Sequence, residues 1–132
     1  MAENVARLRA SYEVLTRTGE WPKDGLLGPD FKLHQDSSFD SAGVFHGPDA
    51  PGELMRRMQQ GFQDMSFEAE RFIEAPAGEV LAIVRVRARG KASGTAIDKQ
   101  QAHVWSFTDG QATTMTVYGR PAEGLEAVGL EA

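Results

Sequence analysis

Apolar residues recur at helical spacing in the first half of this chain and at strand spacing in the second. Across residues 3–17, Val5, Leu8, Tyr12 and Leu15 follow one another at steps of three and four, which puts them on one stripe of an amphipathic helix. Gly19 ends that helix. A second stripe, made of Leu54, Met55, Met58 and Phe62, follows Gly47-Pro48-Asp49. Asp49 suits an N-cap there, and Pro51 is tolerated in the first turn. Between the helices, residues 31–36 read as a short strand and residues 37–43 as a polar loop.

After Met65 the period falls to two, so strands are predicted over residues 66–75, 79–90, 100–108 and 111–119. Turn chemistry separates them at Pro76-Ala77-Gly78, Gly90-Lys91-Ala92-Ser93-Gly94 and Thr108-Asp109-Gly110. Successive hairpins predict an antiparallel sheet. In the second of these strands Ala82, Val84, Val86 and Ala88 share one face, and Arg85, Arg87 and Arg89 share the other. One side of the sheet is then dry and the other is wet or meets a partner. The two helices are the available cover for the dry side, and residues 122–130 suit a short closing helix. The expected class is α+β.

With 132 residues the chain can close one core but not two, so a single domain over residues 1–132 is expected. Hydrophobic residues make up 41% and charged residues 25%, a balance that supports folding rather than disorder. The net charge of -5 would repel a phosphate backbone, which argues against nucleic acid as a partner. The longest apolar run is Val80-Leu81-Ala82-Ile83-Val84, far short of the roughly 20 residues that cross a bilayer, so no membrane partner is expected. The start Met1-Ala2-Glu3-Asn4 lacks the pattern of a secretory signal, and a cytoplasmic location is the expectation. There is no cysteine, which removes disulfides, thiol catalysis and thiolate metal sites. His34, His46 and His103 show no short ligand spacing, so no metal is predicted. Neither a nucleophile elbow, a phosphate loop nor a dinucleotide fingerprint is present, and no cofactor is predicted.

Several segments carry a family resemblance. Tyr12 followed by Gly19-Glu20-Trp21, then Phe45-His46-Gly47-Pro48-Asp49 ahead of the long helix, resemble the corresponding pieces of the nuclear transport factor 2-like superfamily. The hairpin Gly90-Lys91-Ala92-Ser93-Gly94 is similar too. So are the run His103-Val104-Trp105-Ser106-Phe107-Thr108-Asp109-Gly110 and the ending Ala127-Val128-Gly129-Leu130. Together they span nearly the whole chain, in the order seen in ketosteroid isomerases and SnoaL-like polyketide cyclases. The resemblance implies a cystatin-like, nuclear transport factor 2-like fold, in which a curved antiparallel sheet packs around helices to form a cone-shaped pocket. It also implies a small apolar organic molecule as ligand. A homodimer is expected, with acidic partners across the interface from the arginine stripe.

The same resemblance points to candidate site residues. Tyr12 lies on the apolar stripe, so its ring points inward. In ketosteroid isomerases a tyrosine at the similar place donates to the developing oxyanion; the alternative is a core tyrosine with its hydroxyl satisfied by a neighbour. Asp36 ends the first strand, 24 residues after Tyr12, which resembles the placement of the general base in those enzymes; a carboxylate in an apolar pocket is driven toward its neutral form and becomes a better base. The alternative is a cap on the loop that begins at Ser37-Ser38. Asp36 shares a strand face with His34 and Lys32, opposite Phe31 and Leu33, so its catalytic reading requires both faces to be partly buried. His34 is counted with it as a ligand-binding residue. His103 shares a face with Gln101, Trp105 and Phe107, and if the last hairpin is one residue shorter than in the isomerases, the resemblance puts it where they keep a second, protonated acid. A histidine there is a departure, since it titrates near neutrality, and a satisfied core histidine is the alternative. Met58, Phe62, Trp105, Phe107 and Tyr118 are predicted to form the apolar wall. The expected activity is acid-base chemistry on a carbonyl-containing or polycyclic molecule. The alternative is a module of the same fold that binds a ligand or dimerises without turnover.

Overall fold

The computed structural model describes residues 2–23, 25–35 and 43–130. Helix α1 (Ala2–Thr18) leads to strand β1 (Leu27–Gln35), strand β2 (Gly43–His46) and helix α2 (Ala50–Gly61). Four long strands follow, β3 (Phe62–Glu74), β4 (Val80–Gly90), β5 (Ala96–Thr108) and β6 (Gln111–Tyr118), and helix α3 (Pro121–Ala127) closes the chain. The strands form one sheet in the order β2-β1-β6-β5-β4-β3. The helices and the last four strands follow the predicted order, but α2 ends at Gly61, so Phe62, expected on its stripe, begins β3, and β5 begins at Ala96 rather than at residue 100. Asp49 occupies the N-cap of α2, but its carboxylate makes no capping bond and pairs with Lys23 at 3.3 Å.

Two features of the sheet differ from expectation. It is mixed rather than antiparallel, because β1 runs parallel to β6, with Leu33 opposite Met115 and Gln35 opposite Val117. Residues 43–46, expected to be loop and helix approach, form an edge strand antiparallel to β1. The β5-β6 hairpin matches its prediction: Thr108 pairs with Gln111 across Asp109 and Gly110, both at positive φ, the backbone that a two-residue hairpin requires. Register shifts interrupt β3 between Gln63 and Ser66 and again between Ala69 and Arg71, and β5-β6 at Ser106 and Phe107. Such bulges bend a strand and increase its twist, and the six-stranded sheet is curved and unclosed.

Both faces of the sheet carry apolar cover. On the inner side, Val80, Ala82, Val84 and Val86 of β4 join Leu8, Tyr12 and Leu15 of α1, Leu54 of α2 and Trp105 of β5 in the main core. On the outer side, α3 packs on β4, β5 and β6. There Leu81, Ile83, Ala102 and Val104 form a second buried cluster with Val128. The expectation of one dry and one wet side is therefore corrected, since a third helix dries part of the outer face. Gly124 allows the approach, because a Cβ at that position would collide with the Cβ of Ala102. Beyond α3 the outer face is charged. Arg85 meets Asp98 at 2.8 Å and Glu70 at 3.2 Å, and Arg87 lies 3.6 Å from Asp98 and 3.8 Å from Glu68. Arg85 and Arg87 of the stripe expected to meet acidic partners across a dimer interface thus pair with carboxylates of their own sheet.

Candidate functional site

Between the inner face of the sheet and helices α1 and α2 lies a cavity of about 310 Å³. That is near the small end of the range for small-molecule sites, roughly 300–1,000 Å³. Strand β5 supplies its polar wall, since alternate residues of a strand share a face: Ile97, Lys99, Gln101, His103 and Trp105 all line the cavity. Exposure falls along that row, from exposed Lys99 at the rim to buried Gln101 and His103 and fully buried Trp105 at the floor. The opposite walls are apolar, with Leu15 from α1, Leu54, Met55 and Met58 from α2, and Met115 and Val117 from β6.

The floor is aromatic. Trp21 and Phe31 stack on the two rings' neighbour Trp105 at centroid distances of 5.4 and 5.9 Å. Tyr12 meets both tryptophans edge to face, a geometry that aromatic quadrupoles favour. Within this layer the Nε1 of Trp105 lies 3.0 Å from the Tyr12 hydroxyl, which lies 2.6 Å from Nδ1 of His103. The other ring nitrogen of His103 lies 3.2 Å from Oε1 of Gln101. Helix α1 and three positions of β5 are thereby tied by one buried chain of hydrogen bonds.

Burial sets the charge of these groups. Desolvation pushes the Tyr12 phenol far above its ordinary range, against a smaller opposing effect of the bond from Trp105. Desolvation also lowers the His103 imidazole to about 4. Both are neutral at pH 7, so the floor offers hydrogen bonds without net charge. Among the described residues, the cavity lining contains no carboxylate. No cluster of three His, Cys, Asp or Glu that could hold a metal occurs among the described residues, and none of their helices is long and apolar enough to cross a membrane.

This arrangement, a hollow between a curved sheet and its helices with a polar floor, agrees with a family model. The model of the SnoaL-like domain matches residues 8–115, from within α1 to within β6. The chain belongs to the SnoaL-like domain family. Solved structures of the nuclear transport factor 2-like fold agree over almost the full length. One is a protein of unknown function from Burkholderia pseudomallei K96243, with 23% identity, TM-score 0.72 and coverage of 98% of this chain and 99% of that one. Another is TerC, crystallised with polyporic acid, at 18% identity and TM-score 0.69, covering 96% and 97%. A third, from Jannaschia sp. CCS1 and named provisionally as a SnoaL-like polyketide cyclase, has 17% identity and TM-score 0.65, covering 89% and 85%. No curated protein matches. At such identities the likeness defines a fold, and SnoaL-like folds carry many chemistries.

Within this SnoaL-like domain Tyr12, His103 and Trp105 converge, and Met58 and Phe62 line the same cavity. His34, Phe107 and Tyr118 do not reach it. The residues of β1 that line the cavity are Leu33 and Gln35, and His34 between them faces the other side of the strand. Tyr118 alternates with cavity-lining Val117 and packs against the outer cluster under α3. Phe107 lies past Trp105, beyond the floor and after a register shift, and packs against the main core. Asp36 lies outside the described residues; Gln35, immediately before it, lines the cavity. Sequence reasoning gave no role to Gln101, although its parity with His103 and Trp105 signals the same face. Trp21 was likewise given no site role; its indole nitrogen is buried without a hydrogen-bond partner.

Proposed function

We propose that this SnoaL-like domain is an acid-base catalyst acting on a small apolar molecule that contains a carbonyl group. In this reading Asp36 abstracts or relays a proton next to the carbonyl, while the hydrogen-bond chain through Tyr12 and His103 stabilises the charge developing on oxygen. The observation that carries it is the Tyr12–His103 pair, 2.6 Å apart and buried, at the floor of a mostly apolar cavity. Neutral donors in a dry site act on developing charge more strongly than they would in water. TerC, of the same fold, was crystallised with polyporic acid, which supports an organic ligand here.

The test is exchange of the α-protons of 1-indanone, a compact bicyclic ketone, in deuterated water. Wild type is expected to accelerate exchange, and Asp36→Asn to lose the acceleration. Equal rates in both proteins would remove Asp36 as base.

One observation favours a second reading, a ligand-binding module without turnover. Trp105, Tyr12 and His103 already satisfy one another, as structural polar groups do. That reading predicts thermal stabilisation by a bound ketone with no exchange of its protons.

A further inference from the structure

The buried chain of hydrogen bonds has a direction, and Trp105 sets it. An indole N–H donates and cannot accept, so at 3.0 Å the phenol oxygen of Tyr12 is the acceptor. The phenol hydrogen then needs an acceptor of its own, and Nδ1 of His103 stands 2.6 Å away. A neutral imidazole that accepts at Nδ1 carries its hydrogen on Nε2. That nitrogen therefore donates to Oε1 of Gln101 at 3.2 Å. The opposite direction, with His103 donating to Tyr12, would leave a buried hydroxyl hydrogen unpaired, which costs more than one hydrogen bond gains.

The chain ends at the cavity. With its carboxamide oxygen turned to His103, Gln101 keeps both amide N–H groups to donate, and Gln101 lines the cavity between His103 and the rim. We propose that Gln101 is the ligand-contacting donor of this site, and that the Trp105-Tyr12-His103-Gln101 chain selects a ligand by its carbonyl oxygen. Each donor in the row polarises the next, so the last amide is a stronger donor than an isolated one. The amide N–H groups cannot accept, so the acceptor Gln101 keeps is the second lone pair of an oxygen already turned toward His103. The inference rests on reading the cavity as a ligand site, and it names the ligand group that meets the polar wall.

Two measurements test it. The chain contains two tryptophans, Trp21 and Trp105, and both line the cavity, so intrinsic fluorescence reports its filling. Titration with 2-adamantanone and with 2-methyleneadamantane compares one apolar cage with and without an acceptor oxygen. Gln101→Met is expected to weaken the ketone about fivefold, the worth of one hydrogen bond, and to leave the hydrocarbon unchanged. Equal effects on both probes, or none on the ketone, would overturn the proposal. Independently of any variant, ¹⁵N spectra of the wild-type histidine rings should show His103 protonated on Nε2; protonation on Nδ1 would reverse the chain and overturn it. Ketone selectivity that depends on Gln101 without α-proton exchange would sink the catalytic reading alone. Exchange by wild type with unchanged ketone binding in Gln101→Met would sink only this inference.

Discussion

The two faces of β5 hold two polar clusters, close together along one strand and built on opposite physics. Facing inward, Gln101, His103 and Trp105 are buried and join Tyr12 in a neutral row. Facing outward, Asp98 and Gln100 join Arg85 and Glu70 in an exposed charged lattice, with Gln100 2.8 Å from Glu70 and Arg85 2.8 Å from Asp98. Hydrogen bonds lower the outer carboxylates, chiefly from Gln100 at Glu70 and from Arg85 at Asp98. Burial does the reverse inside, where it disfavours charge on His103 and Tyr12. The contrast is about replacement. Outside, water can take over from a lost partner, whereas inside nothing can, so equal-looking bonds on one strand differ in worth.

The strongest way to break this comparison is to charge the inner row. Unfolded, His103 takes up a proton near its ordinary 6.5; folded, it resists until about 4. The unfolded state therefore binds more protons between those values, and stability present above pH 6.5 is lost as pH falls toward 4. The difference is about 3 kcal/mol at the limit. Urea unfolding at steps from pH 7 to 4.5 should show this slope in wild type and a flatter one in His103→Gln. Identical slopes would mean that the inner histidine does not feel burial, and the contrast between the faces would fall.

Next in size is the loss of one partner. Tyr12→Phe keeps the ring and its aromatic contacts but leaves the Trp105 N–H and the His103 Nδ1 without their shared hydroxyl. A destabilisation of about 2 kcal/mol is expected by equilibrium denaturation. Adding Trp105→Phe to Tyr12→Phe should cost less than the sum of the single changes, since the orphaned donor is then removed. Strict additivity would show that the row is not one network.

How much of this was legible depends on which link of the chain is asked for. The helical stripe through Leu8, Tyr12 and Leu15 and the period of two through β4, β5 and β6 are local patterns, and they give the elements and the facing of Tyr12, His103 and Trp105. The parallel pairing of β1 with β6 is not local. Leu33 and Met115 meet across most of the chain, and no turn between them encodes the match. The strand at residues 43–46 was hidden by its shortness. Parity alone excludes His34 and Tyr118 from the cavity, since Leu33 and Val117 are the residues that line it; residue type had drawn attention to the aromatic and imidazole rings instead. Gln101 is the converse case, visible by parity and overlooked because a glutamine on a strand resembles a solvated one. The second dry surface under α3 depends on a glycine, Gly124, whose only signal is the side chain it lacks.

The smallest expected effect belongs to the outer face, and it sharpens the comparison by its size. Arg85→Ala removes bonds to both Glu70 and Asp98, two contacts where Tyr12→Phe also removes two. Yet Asp98 retains Arg87 at 3.6 Å, Glu70 retains Gln100 at 2.8 Å, and the freed carboxylates are open to water. At physiological ionic strength, where the screening length is roughly 8 Å, the melting temperature should change little; any loss should be seen at low salt and shrink as salt is added. The Tyr12→Phe loss should not respond to salt, because no ion reaches the buried row. Thermal unfolding of the two variants at low and high salt decides the matter. An Arg85→Ala loss as large as that of Tyr12→Phe and equally indifferent to salt would show the outer lattice to be sheltered like a core, and the difference between the two faces of β5 would disappear.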